Sequence, residues 1–180
     1  MSITAVSYPN YYSDRWNYSI HSADAHRNRL LHMHVPSSLL YTSSLPGTHA
    51  LLSQLEPRIL QSKCFNNKKL PFTKEVKKTE TAHLFEHILL EYLCQEHLLT
   101  GGKQAKFSGW TRWNWKKDAR GIFHITISGN KTSDEQFTHA FARSVLLFET
   151  ILASNVSHRE HIINPKQIDL DYLFVKRMHE

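Results

Sequence analysis

Two cysteines in 180 residues, no run of eighteen apolar residues and no Gly-x-x-x-x-Gly-Lys-Ser/Thr loop set the first limits on this chain. Two thiols are too few for a disulfide scaffold, and nothing secretory accompanies them, so Cys64 and Cys94 are expected to be reduced. Without a long apolar run the chain is not expected to cross a membrane. Its first residues, MSITAVSYPNYYSDRW, lack the basic-then-apolar layout of a signal peptide, so a cytoplasmic location is expected. The sequon Asn155-Val156-Ser157 would then be idle. Without a phosphate loop there is no P-loop nucleotide site, and GNKTS at 129–133 lacks the required spacing.

What is present describes one domain, residues 1–180. Hydrophobic residues make up 41% and charged residues 21%, the proportions of a folded globular protein. The net charge of +6 comes from 22 basic against 16 acidic residues and suits an anionic partner or a solubilising surface. Thirteen histidines exceed ordinary usage and are spread along the chain, as one metal site plus neutral surface positions would require.

Residues 3–6 read as a short strand broken at Tyr8-Pro9-Asn10, and Trp16 to Ala23 as a second. Residues 35–47, with two prolines and five Ser or Thr, read as loop. THALLSQLEPRILQ has helical spacing that Pro57 must end, kink or restart. CFNNKKLPFTKEVKK reads as polar and exposed. A helix capped by Thr79 or Thr81 runs to about Leu99, buries Leu84, Ile88 or Leu89, Tyr92 and Leu93, and closes at Gly101-Gly102. GIFHITIS alternates as a strand, with His124 on one face and Phe123, Ile125 and Ile127 on the other. Asp134 to Ala153 is a second long helix with Phe137, Phe141, Val145 and Phe148 in its core. The fold class is α+β, two long helices covering a mostly antiparallel sheet.

The helix TETAHLFEHILLEYL holds the most specific pattern, His-x-x-Glu-His. Residues four apart share a helix face, so His83 and His87 can aim their imidazoles at one zinc ion. Glu86 flanks the same point and could take a proton from water held there, the arrangement of the inverted zinc-hydrolase cassette. A catalytic zinc takes three protein ligands. Glu91 is about 12 Å along the axis from His83 and strains the geometry. Glu135, beside Asp134 at the start of the last helix, is the easier third ligand, with His124 in reserve. The bland alternative is an amphipathic helix whose polar face happens to carry these residues.

Several stretches, in order, resemble the N-terminal domain of cyanophycin synthetases. SYPNYYSDRWNYSIHSAD is similar to its opening strand, turn and second strand. His83, Glu86, His87 and Glu91 resemble its Gly-His-x-x-Glu-His helix with a glutamate four residues on. FSGWTRW, with Gly109, Thr111 and Arg112, resembles its Phe-Gly-Lys-Thr-Arg stretch, GIFHITISG its Gly-x-Tyr strand, and EQFTHAFARSVLLFETIL, with Glu135, Ala142 and Arg143, its last helix. The resemblance covers about residues 1–153 and leaves 154–180 as an extension. Ala82, Trp110 and His124 depart from the family's Gly, Lys and Tyr. No ATP-grasp or Mur-ligase-like region lies in these residues, so synthesis of the polymer is not implied. The resemblance implies a metallopeptidase-like centre acting on an Asp-Arg polymer or related peptide, with Glu86 as general base.

Arg112 and Arg143 are then available to stabilise an oxyanion, and Trp113 to line a peptide groove. Arg143 would serve equally by pairing with a buried carboxylate. A non-catalytic polymer- or protein-binding module of the same fold is the main alternative, and a homo-oligomer is compatible with either. Single-stranded nucleic acid, stacked on Trp110, Trp113 and Trp115 amid Arg112, Lys116 and Lys117, ranks behind both.

Overall fold

The computed structural model describes residues 9–25, 28–66 and 70–159. The strand expected at residues 3–6 and all but the first residues of the 154–180 extension lie outside them.

Five strands form one antiparallel sheet in the order β1-β2-β3-β5-β4. They are β1 (Asn10–Ser13), β2 (Tyr18–Ala25), β3 (Asn28–His34), β4 (Phe107–Arg112) and β5 (Ile122–Gly129). Among the described residues, five α-helices accompany them: α1 (Thr48–Leu55), α2 (Pro57–Gln61), α3 (Phe72–Glu75), α4 (Thr81–Leu99) and α5 (Asp134–Arg159). The expected α+β class holds. Among the described residues, no helix is long and apolar enough to cross a membrane.

Alternation along the strands decides where the helices go. Ile20, Leu31, Met33, Phe123, Ile125 and Ile127 are buried on one face and meet Leu84, Phe85, Ile88 and Leu89 of α4 and Phe137, Phe141, Phe148 and Ile151 of α5 in one core. The other face carries His21, His32, His34, His124, Ser108 and Trp110 at the intervening positions.

Pro57 starts a second helix, because proline at the first helical position forfeits no hydrogen bond. Gly101, at φ +91°, ends α4 in the left-handed conformation, and the Gly102 amide donates to the His97 carbonyl at 2.9 Å.

Asn10–Ser13, just after Pro9, forms a strand that pairs with β2. Two expectations fail. The stretch expected to be exposed sends Phe72 and Val76 into the core through α3. Neither Thr79 nor Thr81 caps α4 through its side chain: Glu80 is the N-cap residue, Thr81 Oγ1 donates to the Leu39 carbonyl, and Thr79 Oγ1 turns to Glu80 and His83.

β1 and the turn after it are tied to α5 by one carboxylate. Tyr11 donates to Glu149 Oε1 at 2.9 Å and Trp16 Nε1 to Glu149 Oε2 at 2.7 Å. Glu149→Ala leaves two part-buried donors without this acceptor and is expected to cost about 2 kcal/mol in a urea titration. The sequon residue Asn155 is 2% exposed, with its side chain bonded to the Gly47 amide and the Ile151 carbonyl. A glycan has no access there.

Candidate metal centre

The N-terminal turn of α4 is clamped from outside the helix. Thr42 donates through its amide to the Thr79 carbonyl at 2.8 Å, the Thr79 amide donates to Thr42 Oγ1 at 2.9 Å, and the Thr81 amide donates to the Leu40 carbonyl at 3.0 Å. The first two turns of α4, which carry His83, Glu86 and His87, therefore start from a fixed point.

Cys64, His83 and His87 each bring a ligand atom to within 4.8 Å of the others. Cys64 Sγ lies 3.6 Å from His83 Nε2. Tetrahedral sites with bonds of about 2.0–2.3 Å hold their donors roughly 3.3–3.8 Å apart, so this pair already has the spacing of two ligands of one ion. The group could hold a metal ion.

Hydroxyls orient both imidazoles. Ser62 Oγ donates its one hydrogen to the Ile59 carbonyl at 2.6 Å, so at its 2.7 Å contact with His87 Nδ1 it accepts. Thr79 Oγ1 lies 2.8 Å from His83 Nδ1 and 3.3 Å from Glu80 Oε2, which orients the His83 ring. The His87 ring thus carries its proton on Nδ1 and presents a lone pair at Nε2, as outer-shell partners do around bound metals. Phe72 stacks on His87 with centroids 3.6 Å apart and meets His83 edge-on at 5.8 Å.

Burial lowers His83 to a pKa of about 4 and His87 to about 3, the latter also through the repulsion that two protonated rings side by side would meet. Protons therefore do not compete for either lone pair at neutral pH. Burial raises the Cys64 thiol, Asn66 Nδ2 donating to the sulfur at 3.3 Å works against that, and the charges of Glu75 and Glu86 raise it further. The metal-free site holds a protonated thiol. Taking up a cation there displaces that proton.

Glu86 sits beside this group but faces β4. Its carboxylate is 4% exposed and accepts from Thr111 Oγ1 at 2.6 Å. Burial raises its pKa to about 7, against bonds from the Thr111 hydroxyl and amide that lower it. A Cβ on Gly109 would stand 2.5 Å from Glu86 Oε1 and 2.6 Å from its Cγ, so only glycine leaves room for this carboxylate under the strand. Gly109→Ala is expected to cost about 1–3 kcal/mol by overpacking, read from thermal melts.

The other expected ligands lie elsewhere. Glu135 is exposed at the start of α5, which Gln136 Nε2 ties to Thr100 Oγ1 at 2.6 Å, and Thr100 is about 25 Å along α4 from His83. Antiparallel packing thus sends Glu135 to the opposite end of the helix pair. Glu91 is two turns along, its carboxylate bonded by Gln95 Nε2 at 3.0 Å and 3.8 Å from Arg58. His124 points from the sheet face that no described helix covers and meets Asp118 at 3.1 Å. Cys64 takes the place expected for Glu135.

The expected substrate residues are likewise dispersed. Arg112 alternates with Thr111 along β4 and so projects to the sheet face opposite α4, where its guanidinium covers Trp110 at 5.0 Å. Arg143 binds Glu96 at 3.3 Å and Gln95 at 2.7 Å and lies over Tyr92, joining α5 to α4. Trp113 is 41% exposed and packs on Trp115 and Phe123.

Cys64, Ser62, Thr79 and Thr111 were not legible as site residues. Both cysteines are free, and a reduced cysteine in a chain with a His-x-x-x-His pair was the available signal. A groove of about 730 Å³ lies away from this group, lined by Arg29, Leu93, Phe107, Lys131, Asp134 and Phe137 among others. It contains no cysteine or histidine, so it offers space without the metal-binding chemistry. No protein-family model matches the chain, and no curated protein matches it.

Proposed function

We propose that the chain is a zinc-dependent peptide or amide hydrolase in which Cys64, His83 and His87 hold the ion and Glu86 serves as general base. The observation that carries this reading is the convergence of one sulfur and two imidazoles at the start of α4. Three protein ligands leave a fourth position open, the pattern of catalytic rather than structural zinc.

When bound, zinc supplies Lewis acidity that polarises a carbonyl and makes water more acidic. The chain's own residues do the rest. Ser62 and Thr79 orient the imidazoles, Phe72 shields them, and Glu86, with a pKa of about 7, can exist as carboxylate or acid near neutrality and so accept and return a proton. The resemblance to the cyanophycin synthetase N-terminal domain supports an Asp-Arg-type polymer or a related peptide as substrate.

The second reading is a non-catalytic, metal-holding module that binds a polymer or protein. The burial of Glu86 and its bond to Thr111 favour it, since a carboxylate engaged under a strand also serves packing. Screening zinc-loaded protein against Asp-Arg polymer and mixed peptides, with Glu86→Gln as control, separates the two. Cleavage that needs both zinc and Glu86 supports hydrolysis, whereas zinc binding with no Glu86-dependent cleavage supports the module.

A further inference from the structure

Strand β4 ends the sheet and, among the described residues, pairs on one side only, with β5. Two contacts fix which of its backbone groups turn outward. The Lys106 carbonyl accepts from the Asn130 amide at 2.9 Å, and the Lys106 amide donates to the Asn130 side chain, so residue 106 faces β5. Antiparallel pairing repeats every second residue, so Ser108, Trp110 and Arg112 also give their amides and carbonyls to β5, while Phe107, Gly109 and Thr111 turn theirs to the outer edge. The Thr111 amide agrees, since it bonds Glu86 rather than β5. No described segment pairs with the outward groups of Phe107 and Gly109.

Sheet edges are normally blunted by charge, proline or a bulge. Residues 107–110 have none of these, and Trp110 is 63% exposed. Charge is concentrated around them instead. Residues 101–133 hold seven basic side chains and one acidic, Asp118, so this hairpin and its flanks carry the chain's whole net charge of +6. Lys106 and Arg112, both exposed, bracket the edge. A second copy of the chain docked edge to edge would bring these like charges together. Single-stranded nucleic acid needs open ring faces, yet Arg112 lies over Trp110 and Trp113 packs on Trp115 and Phe123. An acidic peptide strand meets both the charge and the outward backbone groups.

We infer that the outer edge of β4 takes an extended acidic peptide as a sixth strand, its backbone bonded to Phe107 and Gly109 and its carboxylates facing Lys106 and Arg112. In strand addition the main-chain bonds give affinity and the flanking side chains give selectivity. Thr111 Oγ1 joins this edge to Glu86 at 2.6 Å, so a peptide added there runs beside the carboxylate proposed as general base. The peptide class rests on the hydrolase reading, whereas docking itself needs neither the ion nor turnover.

Fluorescence anisotropy of a labelled, acetylated heptapeptide of alternating valine and glutamate, titrated with zinc-free full-length protein, tests this edge. Saturable binding is expected. N-methylating the alternate amides along one edge of the probe should weaken it at least about 10-fold, and methylating the other set should change it little. Lys106→Glu and Arg112→Glu together should weaken it about 10-fold. On saturation the Phe107 and Gly109 amides should gain at least about 10-fold protection from hydrogen exchange, while Ser108 and Trp110, already bonded to β5, change little. No saturable binding, equal binding of the two methylated probes, or tighter binding of an oligothymidylate of equal charge overturns the edge site. Zinc-loaded protein that binds the probe in this pattern and cleaves no peptide keeps the edge site and removes the hydrolase; cleavage without protection at Gly109 does the reverse.

Discussion

Cys64→Ala is expected to abolish stoichiometric zinc binding while leaving the fold intact. Its sulfur is the donor 3.6 Å from His83 Nε2, and deleting it leaves two imidazoles with no third protein ligand among the described residues that approach the same point. Outer-shell partners alone are worth about 10–100-fold in affinity, so loss of a direct ligand should weaken binding on the order of 1,000-fold. That corresponds to about 4 kcal/mol. The side chain is only partly buried, so the metal-free melting temperature should stay close to that of the parent. Competition against a chromophoric chelator reads the affinity; a shift under tenfold would place the third ligand elsewhere.

Glu86→Gln should separate metal binding from turnover. The substitution keeps the shape of the side chain and an oxygen able to accept from Thr111, so zinc affinity should change only a few-fold. A lost general base lowers kcat by about 10²–10⁴. Because burial holds the Glu86 pKa at about 7, the parent's rate should rise with pH through neutrality, and the variant should lack that limb.

The same shift has a consequence for stability. A carboxyl raised from 4.5 to about 7 contributes stability that is fully present below 4.5 and lost as pH rises through 7. His83 and His87, lowered from 6.5 to about 4 and 3, contribute stability present above 6.5 and lost as pH falls through those values. So far as these three groups decide it, the metal-free protein should melt highest near pH 6.5, falling towards acid, where two imidazole losses outweigh the one carboxyl gain, and falling slightly up to pH 7 through Glu86. In Glu86→Gln the alkaline decline should flatten, and the acid decline should remain.

Where a single periodicity ran unbroken, the sequence was readable. Leu84, Ile88, Tyr92 and Leu93 on α4, Phe137, Phe141, Val145 and Phe148 on α5, and alternation in GIFHITIS all lie where the spacing puts them. Strands β1 and β4 were obscured by their own residues: Pro9 and Asn10 are turn formers, and Gly109 interrupts FSGWTR for the sake of Glu86. Strand β3, NRLLHMH, carries a Leu-Leu pair between charged and histidine positions, which blurs alternation.

The site divided in the same way. His83 and His87 share a helix face by local geometry alone, so their spacing announced them. Cys64 reaches them only because α2 and α3 fold back on α4, a tertiary contact that carries no local pattern. The sequence puts Glu135 at the start of its helix, yet which end of α5 meets which end of α4 is set by chain direction across the β5–α5 connection, and that places it about 25 Å away.

The central claim is that a sulfur and two imidazoles at the start of α4 hold one zinc ion. X-ray absorption at the zinc edge, on untagged protein carrying one equivalent, tests it most directly. One Zn–S distance at about 2.3 Å with two nitrogens at about 2.0–2.1 Å is predicted, the sulfur shell vanishing in Cys64→Ala. A first shell of nitrogen and oxygen alone in the parent protein would contradict it.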